Sequence, residues 1–248
     1  MAATRQGRAW ESDEKRDQEV SQLGAKRVGV FGGTFDPPHL GHLLLAETIR
    51  EQFELDEVLF VPSNEPPHKD RDDLTAATHR YAMVVAATLH NPGFTPAAVE
   101  VNRPGKSYSI DTLRALSADY GPDVELYFVA GLDSMLQFDS WHEPEALLDC
   151  CHVVVVSRPG SSFEKLKDVL PERCRERIVD ASGCQEVGGE RDGLRIYLSD
   201  AVYLELSSTE LRQRVRDGLS IRYRVTPEVE RYITSHELYL EQVAEVAS

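Results

Sequence analysis

The stretch Gly32-Gly33-Thr34-Phe35-Asp36-Pro37-Pro38-His39-Leu40-Gly41-His42 limits the fold of this chain more than any other. It follows a short apolar strand candidate, Arg27-Val28-Gly29-Val30-Phe31. It leads into a helix expected over 40–53, with Leu40, Leu43, Leu44, Ile49 and Phe53 at helical spacing. Two glycines at a strand end let backbone N–H groups approach a bound anion closely. Two histidines three residues apart at a helix start face one side, where the helix dipole also favours negative charge. Together these residues describe a phosphate site with imidazoles aimed into it. The plainer alternative is a loop whose histidines only cap the helix.

The rest of the chain alternates. Further strands are expected at 57–61, 97–101, 124–130, 152–157, 177–180, 194–198 and 202–206. Helices are expected at 74–90, 109–119, 133–137, 143–149, 162–170, 208–217 and 227–235. This order predicts an α/β fold: a Rossmann-like, doubly wound parallel sheet with a small C-terminal helical region. In such sheets ligands sit beyond the carboxyl ends of the strands, where the strand order reverses. Residues 1–25 are polar and mixed in charge and read as a flexible extension. Residues 26–206 read as the core, and 207–248 as a helical segment completing the site.

Composition narrows the class. The 248 residues are 41% hydrophobic and 28% charged, which suits a globular chain. No apolar run approaches a membrane span, and the first residues lack an apolar leader, so cytoplasm is the expected compartment. A net charge of −15 disfavours a nucleic-acid surface. An anionic ligand would therefore be held by local cations and backbone dipoles. Cys150, Cys151, Cys174 and Cys184 show no metal-ligand spacing and read as unbridged thiols.

His39-Leu40-Gly41-His42 resembles the HxGH signature of the nucleotidylyltransferases, a group that includes the class I aminoacyl-tRNA synthetases. The longer string from Gly32 to Leu43 resembles the opening of the bacterial nicotinate-mononucleotide adenylyltransferase family. Five later segments, quoted below, extend the resemblance to about residues 27–240.

Val61-Pro62-Ser63-Asn64-Glu65-Pro66-Pro67-His68-Lys69 resembles that family's PNxxPPHK segment, which implies Asn64, His68 and Lys69 near the mononucleotide phosphate. Lys106-Ser107-Tyr108-Ser109 resembles its PSYT-like segment. Lys106 stands where Pro or Ala is common and Ser109 where Thr is usual. Ser107, Tyr108 and Ser109 are the implied acceptor contacts; read alone, Ser107 or Ser109 caps a helix starting near 110. Gly131-Leu132-Asp133-Ser134 through Trp141-His142 resembles GxDSLxxxxxW. It implies Gly131 and Asp133 at the ATP side, Asp133 as a ribose-hydroxyl acceptor. It also implies that Trp141 stacks on the pyridine ring beside His142, although Trp141 alone fits core packing equally well.

Ser157-Arg158-Pro159-Gly160 matches the family's RPG and implies Arg158 at the adenine pocket. Leu206-Ser207-Ser208-Thr209-Glu210-Leu211-Arg212 resembles ISSTxxR. Ser207 with Glu210 reads as a helix cap, and Ser207, Ser208 and Thr209 as a phosphate site at the same helix start. Gly32, Gly33, Thr34 and Phe35 complete the implied ATP contacts.

The resemblance implies condensation of ATP with nicotinate mononucleotide to deamido-NAD and pyrophosphate. The ligand crevice would lie between strands 27–31 and 124–130. His42 would stabilise charge on the transferred phosphoryl, His39 would orient the triphosphate, and Arg212 would hold its outer phosphates. Mg2+ would bind mainly through the ATP phosphates, since no carboxylate cluster suggests a protein cage. The alternatives are another acceptor, such as nicotinamide mononucleotide or phosphopantetheine, and a non-catalytic nucleotide-binding sensor. An aminoacyl-tRNA synthetase is disfavoured by size, acidity and the lack of a Lys-Met-Ser-Lys-Ser segment. The partners are small molecules, with no nucleic acid or membrane, and homo-oligomerisation is left open.

Overall fold

The structure is a computed structural model that describes residues 25–66, 74–157, 163–187, 193–201 and 204–240. Seven strands form one sheet: β1 (Lys26–Gly33), β2 (Glu57–Pro62), β3 (Phe94–Pro96), β4 (Val124–Gly131), β5 (His152–Val156), β6 (Ile178–Asp180) and β7 (Ile196–Ser199). Their spatial order is β3-β2-β1-β4-β5-β7-β6, and every pairing is parallel. The chain winds outward from β1 to β3, then returns to β4 on the other side of β1. The order therefore reverses between β1 and β4, as the family resemblance implied.

The helices are α1 (Leu40–Gln52), α2 (Ala77–Thr88), α3 (Ser109–Tyr120), α4 (Leu132–Met135), α5 (Pro144–Leu148), α6 (Leu166–Val169), α7 (Ser208–Arg216) and α8 (Pro227–Ser235). Side-chain alternation along β4 shows how they cover both faces. Leu126, Phe128 and Ala130 pack in one core with Ile110, Leu113 and Leu116 of α3. Tyr127 and Val129 pack in the other with Ala46 and Ile49 of α1. Burial on both faces is why β4 and β5 read as almost unbroken apolar runs. A third, smaller cluster joins Met83 of α2 to Leu211 of α7 and Val229 and Ile233 of α8. The C-terminal helices are thus fastened to the sheet layer through α2. Among the described residues no helix is long and apolar enough to cross a membrane.

Several sequence expectations need correction. The third strand lies at Phe94–Pro96, not at 97–101. It is an edge strand, and beyond Pro96 the chain turns through Asn102 N–H to Ala98 O and Arg103 N–H to Glu100 O. Helix α2 starts at Ala77 rather than 74. Ala76 before it is extended, with ψ of 140°, so Thr75 lies outside the helix and gives its N–H to Asp36 and its C=O to Arg80. In the expected strand 202–206, residues 202–203 lie outside the described residues and Leu204–Leu206 are not extended into the sheet. Of helix 162–170, the described part is a 3-10 turn, Phe163–Lys165, followed by α6. Leu44 on α1 is exposed, while Gln52 is buried. Gln52 donates to Ala181 O and Cys184 O and accepts from Ser199 Oγ. Residues 1–24 of the expected extension lie outside the described residues.

Candidate active site

A cleft of about 320 Å³ opens at the carboxyl ends of β1 and β4. Gly32, Gly33 and Thr34 line one side, and Ser107, Tyr108 and Ser109 another. Gly131, Ser134, Trp141 and His142 close it. Residues that the sequence divided between two ligands thus meet in one space. A Cβ built on Gly32 or Gly131 would meet nothing within 4 Å. At these two positions the missing side chain leaves ligand room rather than relieving a clash. Gly33 differs, because a Cβ there would stand 2.9 Å from the ring of Phe35. Trp141 is half-buried and packs edge-on against Phe128, with ring centroids 6.0 Å apart. His142 tilts over Tyr108 at 4.4 Å.

The histidines lie just beside this cleft. His39 is the N-cap of α1, and its Nδ1 accepts the N–H of His42 at 3.3 Å. His42 Nδ1 accepts the N–H of His39 in return at 3.1 Å. A capping box normally uses Ser or Thr with Glu or Gln; here two imidazoles do both jobs. The rings stack with centroids 3.6 Å apart and 19° between planes. Because both Nδ1 atoms accept, each neutral ring carries its proton on Nε2, at the opposite edge. Burial pushes the pKa of His39 down to about 4. Burial, then the neighbouring His39, pushes His42 well below its ordinary value. At neutral pH this is a pair of neutral N–H donors, not imidazolium ions. The capping alternative and the chemical one therefore hold together.

A depressed histidine pKa predicts a pH effect. The unfolded chain binds a proton near pH 6.5 that folded His39 refuses until about pH 4, so stability is lost as pH falls through that window. Between pH 7 and 5 the loss from this residue is about 2 kcal/mol. Asn caps helices well and does not titrate. His39→Asn should therefore lose less melting temperature between pH 7 and 5 than wild type does. Parallel melting curves across that range would count against the buried neutral pair.

Helix α7 brings the remaining predicted residues to the same loop. Ser207 caps it by accepting Glu210 N–H. Ser208 Oγ donates to Pro37 O at 2.8 Å. Arg212 Nη1 donates to Asp36 O at 2.8 Å and its Nη2 lies 3.5 Å from Thr209 Oγ1. The Nε–H of Arg212 is buried without a protein partner among the described residues. Two residues behave differently from expectation. Phe35 is 2% exposed and packs among Phe31, Phe60 and His42, so its side chain belongs to the core and does not line the cleft. Neither Ser107 nor Ser109 caps α3, whose N-cap is Tyr108. Ser107 Oγ instead accepts Asn64 N–H and bonds the carboxylate of Glu100. Asn64 Nδ2 donates to Arg103 O, which places that amide within the loop packing. Asp133 is exposed in the first turn of α4. His68, Lys69 and Arg158 lie outside the described residues.

Residues 30–214 match the model of the cytidylyltransferase-like family. A protein of Moorella thermoacetica described as a probable nicotinate-nucleotide adenylyltransferase is 40% identical, covering 86% of this chain and 91% of its own. The chain belongs to the nicotinate-nucleotide adenylyltransferase family. A second relative with that description, from Citrifermentans bemidjiense, is 40% identical over 87% of this chain and 99% of its own. The fold likewise resembles the solved Plasmodium falciparum nicotinic acid mononucleotide adenylyltransferase complexed with NaAD. The TM-score is 0.65 at 19% identity, covering 86% of this chain and 97% of that one. Membership of this adenylyltransferase family makes the chain a nucleotidyltransferase of pyridine-nucleotide biosynthesis.

Four residues in or braced against this candidate site were not singled out by the sequence. Asp36 is 1% exposed, and its carboxylate accepts from Thr75 N–H and from Tyr239 O–H at 2.7 Å. Burial, followed by the Asp36 charge, raises the pKa of Tyr239. Glu100 borders the cleft and is 7% exposed, and burial raises its pKa. Arg80 is 1% exposed. Its signal was present: Arg80, Met83 and Val84 share one buried stripe of α2, so helical periodicity put a charge on a core face.

Proposed function

We infer that this cleft condenses ATP with nicotinate mononucleotide to give deamido-NAD and pyrophosphate. The observation that carries the reading is the stacked histidine pair, two neutral Nε2–H donors at the start of α1 beside the β1/β4 crevice. The Plasmodium falciparum neighbour is complexed with NaAD, which supports the same pair of substrates. An oxygen of the acceptor phosphate attacks the α-phosphorus of ATP, and the bond to the β-phosphate bridging oxygen breaks. No protein nucleophile is needed, so catalysis is positioning plus charge stabilisation. His42 donates to the phosphoryl oxygens as charge grows there, and His39 orients the triphosphate. Arg212, which reaches the same loop through Asp36 O, holds the outer phosphates. Lys69 and His68 take the acceptor phosphate, Asp133 the ribose, and Arg158 the adenine side.

No three His, Cys, Asp or Glu side chains gather into a metal site among the described residues. Magnesium would be held on the triphosphate by its oxygens and water, and would supply charge neutralisation there.

Pyrophosphate release with ATP and a panel of acceptors tests the reaction. The pyridine ring is assigned to the end of the cleft lined by Trp141 and His142, where a carboxylate can take hydrogen bonds that a neutral amide matches poorly. A hydrogen bond to a charged group contributes roughly 1.5–3 kcal/mol. The expected kcat/KM for nicotinate mononucleotide exceeds that for nicotinamide mononucleotide by on the order of ten- to a hundredfold. Equal efficiency with both would overturn the selectivity, and turnover with neither would overturn the reaction.

A further inference from the structure

Arg80 makes its hydrogen bonds to backbone rather than to carboxylates. Its Nε donates to Thr75 O at 2.8 Å, its Nη1 to Thr34 O at 2.8 Å and its Nη2 to Asn64 O at 3.0 Å. Thr34 stands in the loop that leaves β1, and Asn64 in the loop that leaves the neighbouring strand β2. Both loops border the same cleft. A guanidinium is planar and rigid, so three bonds from one fork fix three carbonyls relative to one another.

Each loop is held from its other side as well. Asn64 N–H donates to Ser107 Oγ and its Nδ2 to Arg103 O, so its C=O toward Arg80 completes a three-way hold. Thr75 N–H donates to Asp36, two residues after Thr34. Packing alone does not call for a cation on this stripe of α2, where Met83 and Val84 are its neighbours. Burying a guanidinium is costly unless it is fully bonded. The carboxylates that act on it electrostatically are Asp36 in the first loop and Glu100 at the cleft wall.

We propose that Arg80 is a positioning residue that sets the distance and angle between the two substrate loops, and through them the line of approach of the acceptor phosphate to the transferred phosphorus. This rests on reading the first loop as the ATP side and the second as the acceptor side. Alignment of reacting atoms governs the chemical step more than it governs either binding step, and a misplacement near 1 Å can cost about 10²-fold in rate.

Arg80→Lys separates position from charge. Lysine keeps the buried cation beside Asp36 and Glu100 but has one nitrogen and no plane, so it cannot hold three carbonyls at fixed spacing. In the full-length chain, the expected kcat falls on the order of 10- to 100-fold while KM for ATP and for the acceptor each stays within about threefold of wild type. Circular dichroism and the melting curve should still report a folded protein at the assay temperature. A folded Arg80→Lys with kcat within about twofold of wild type would overturn the proposal, as would a loss confined to KM. Arg80→Gln keeps a planar donor without the charge and serves as the second variant. If neither variant folds, Arg80 belongs to the stability of the fold and the proposal is equally overturned. The comparison uses whichever acceptor the wild type turns over, so failure of nicotinate mononucleotide as acceptor is read from the wild type and failure of Arg80 from the ratio.

Discussion

His42→Ala should lose on the order of 10²–10³ in kcat while ATP still binds within a few-fold of wild type. The imidazole donates to charge that exists only in the transition state, and an interaction of that kind is read in kcat rather than KM. Its ring also accepts the His39 N–H, so alanine removes a cap as well as a donor. His42→Asn tells the two apart, because the asparagine carbonyl can still accept that N–H while its amide is too short to reach where Nε2 reaches. If the loss is chemical, both variants are crippled, yet Asn recovers the stability that Ala gives up. His39→Ala should hurt kcat less and ATP affinity more, since its proposed role is ground-state orientation. Steady-state kinetics beside ATP calorimetry decide it. Near-wild-type kcat in His42→Ala would falsify the assigned role and with it most of the mechanism.

Gly41→Ala should cost on the order of 10-fold in kcat with no loss of melting temperature. The glycine sits between the two histidines, and a Cβ there would stand 3.1 Å from Nδ1 and 3.2 Å from Cε1 of His39. On the other side it would meet Leu204 O at 3.3 Å. The carbonyl belongs to backbone, so the ring must yield, and the ring is half of the stacked pair. Gly41 is the second residue of α1, so alanine there gains only part of the roughly 1 kcal/mol that separates it from glycine in a helix interior. Stability and turnover are thus expected to part company. A variant with wild-type kcat would show that the ring position tolerates the shift, and a lower melting temperature would show that the methyl disturbs more than the ring.

Strands β1, β4 and β5 and helices α1 and α3 were readable to within a residue or two, because burial on both faces leaves long apolar runs and burial on one face leaves a clean stripe. The third strand was misread because its pattern pointed past Pro96, while the chain turns there and carries Glu100 inward to the cleft wall. The site divides in the same way. His39, His42 and Ser207 act through neighbours three residues off, so local sequence displays them. Asp36 and Arg80 act through partners brought near by the fold: Thr34 lies 46 positions from Arg80 and Tyr239 lies 203 from Asp36. Nothing in the residues of one loop announces such a partner. Ser107 shows the converse error, since a serine before a helix suggests a cap, but its hydroxyl was drawn across to Asn64 and Glu100.

The hydroxyl of Tyr239 closes on the carboxylate of Asp36 across 203 positions of chain. Arg212 and Ser208 grip the same turn from 176 and 171 positions away. During synthesis the glycine loop leaves the ribosome well ahead of these residues, together with the strand that carries it. Its bracing arrives much later. A nascent chain stopped between α7 and Tyr239 would carry every histidine and glycine of the site and still lack the Tyr239 brace. Translation thus delivers the most recognisable part of this protein long before the contact that completes it.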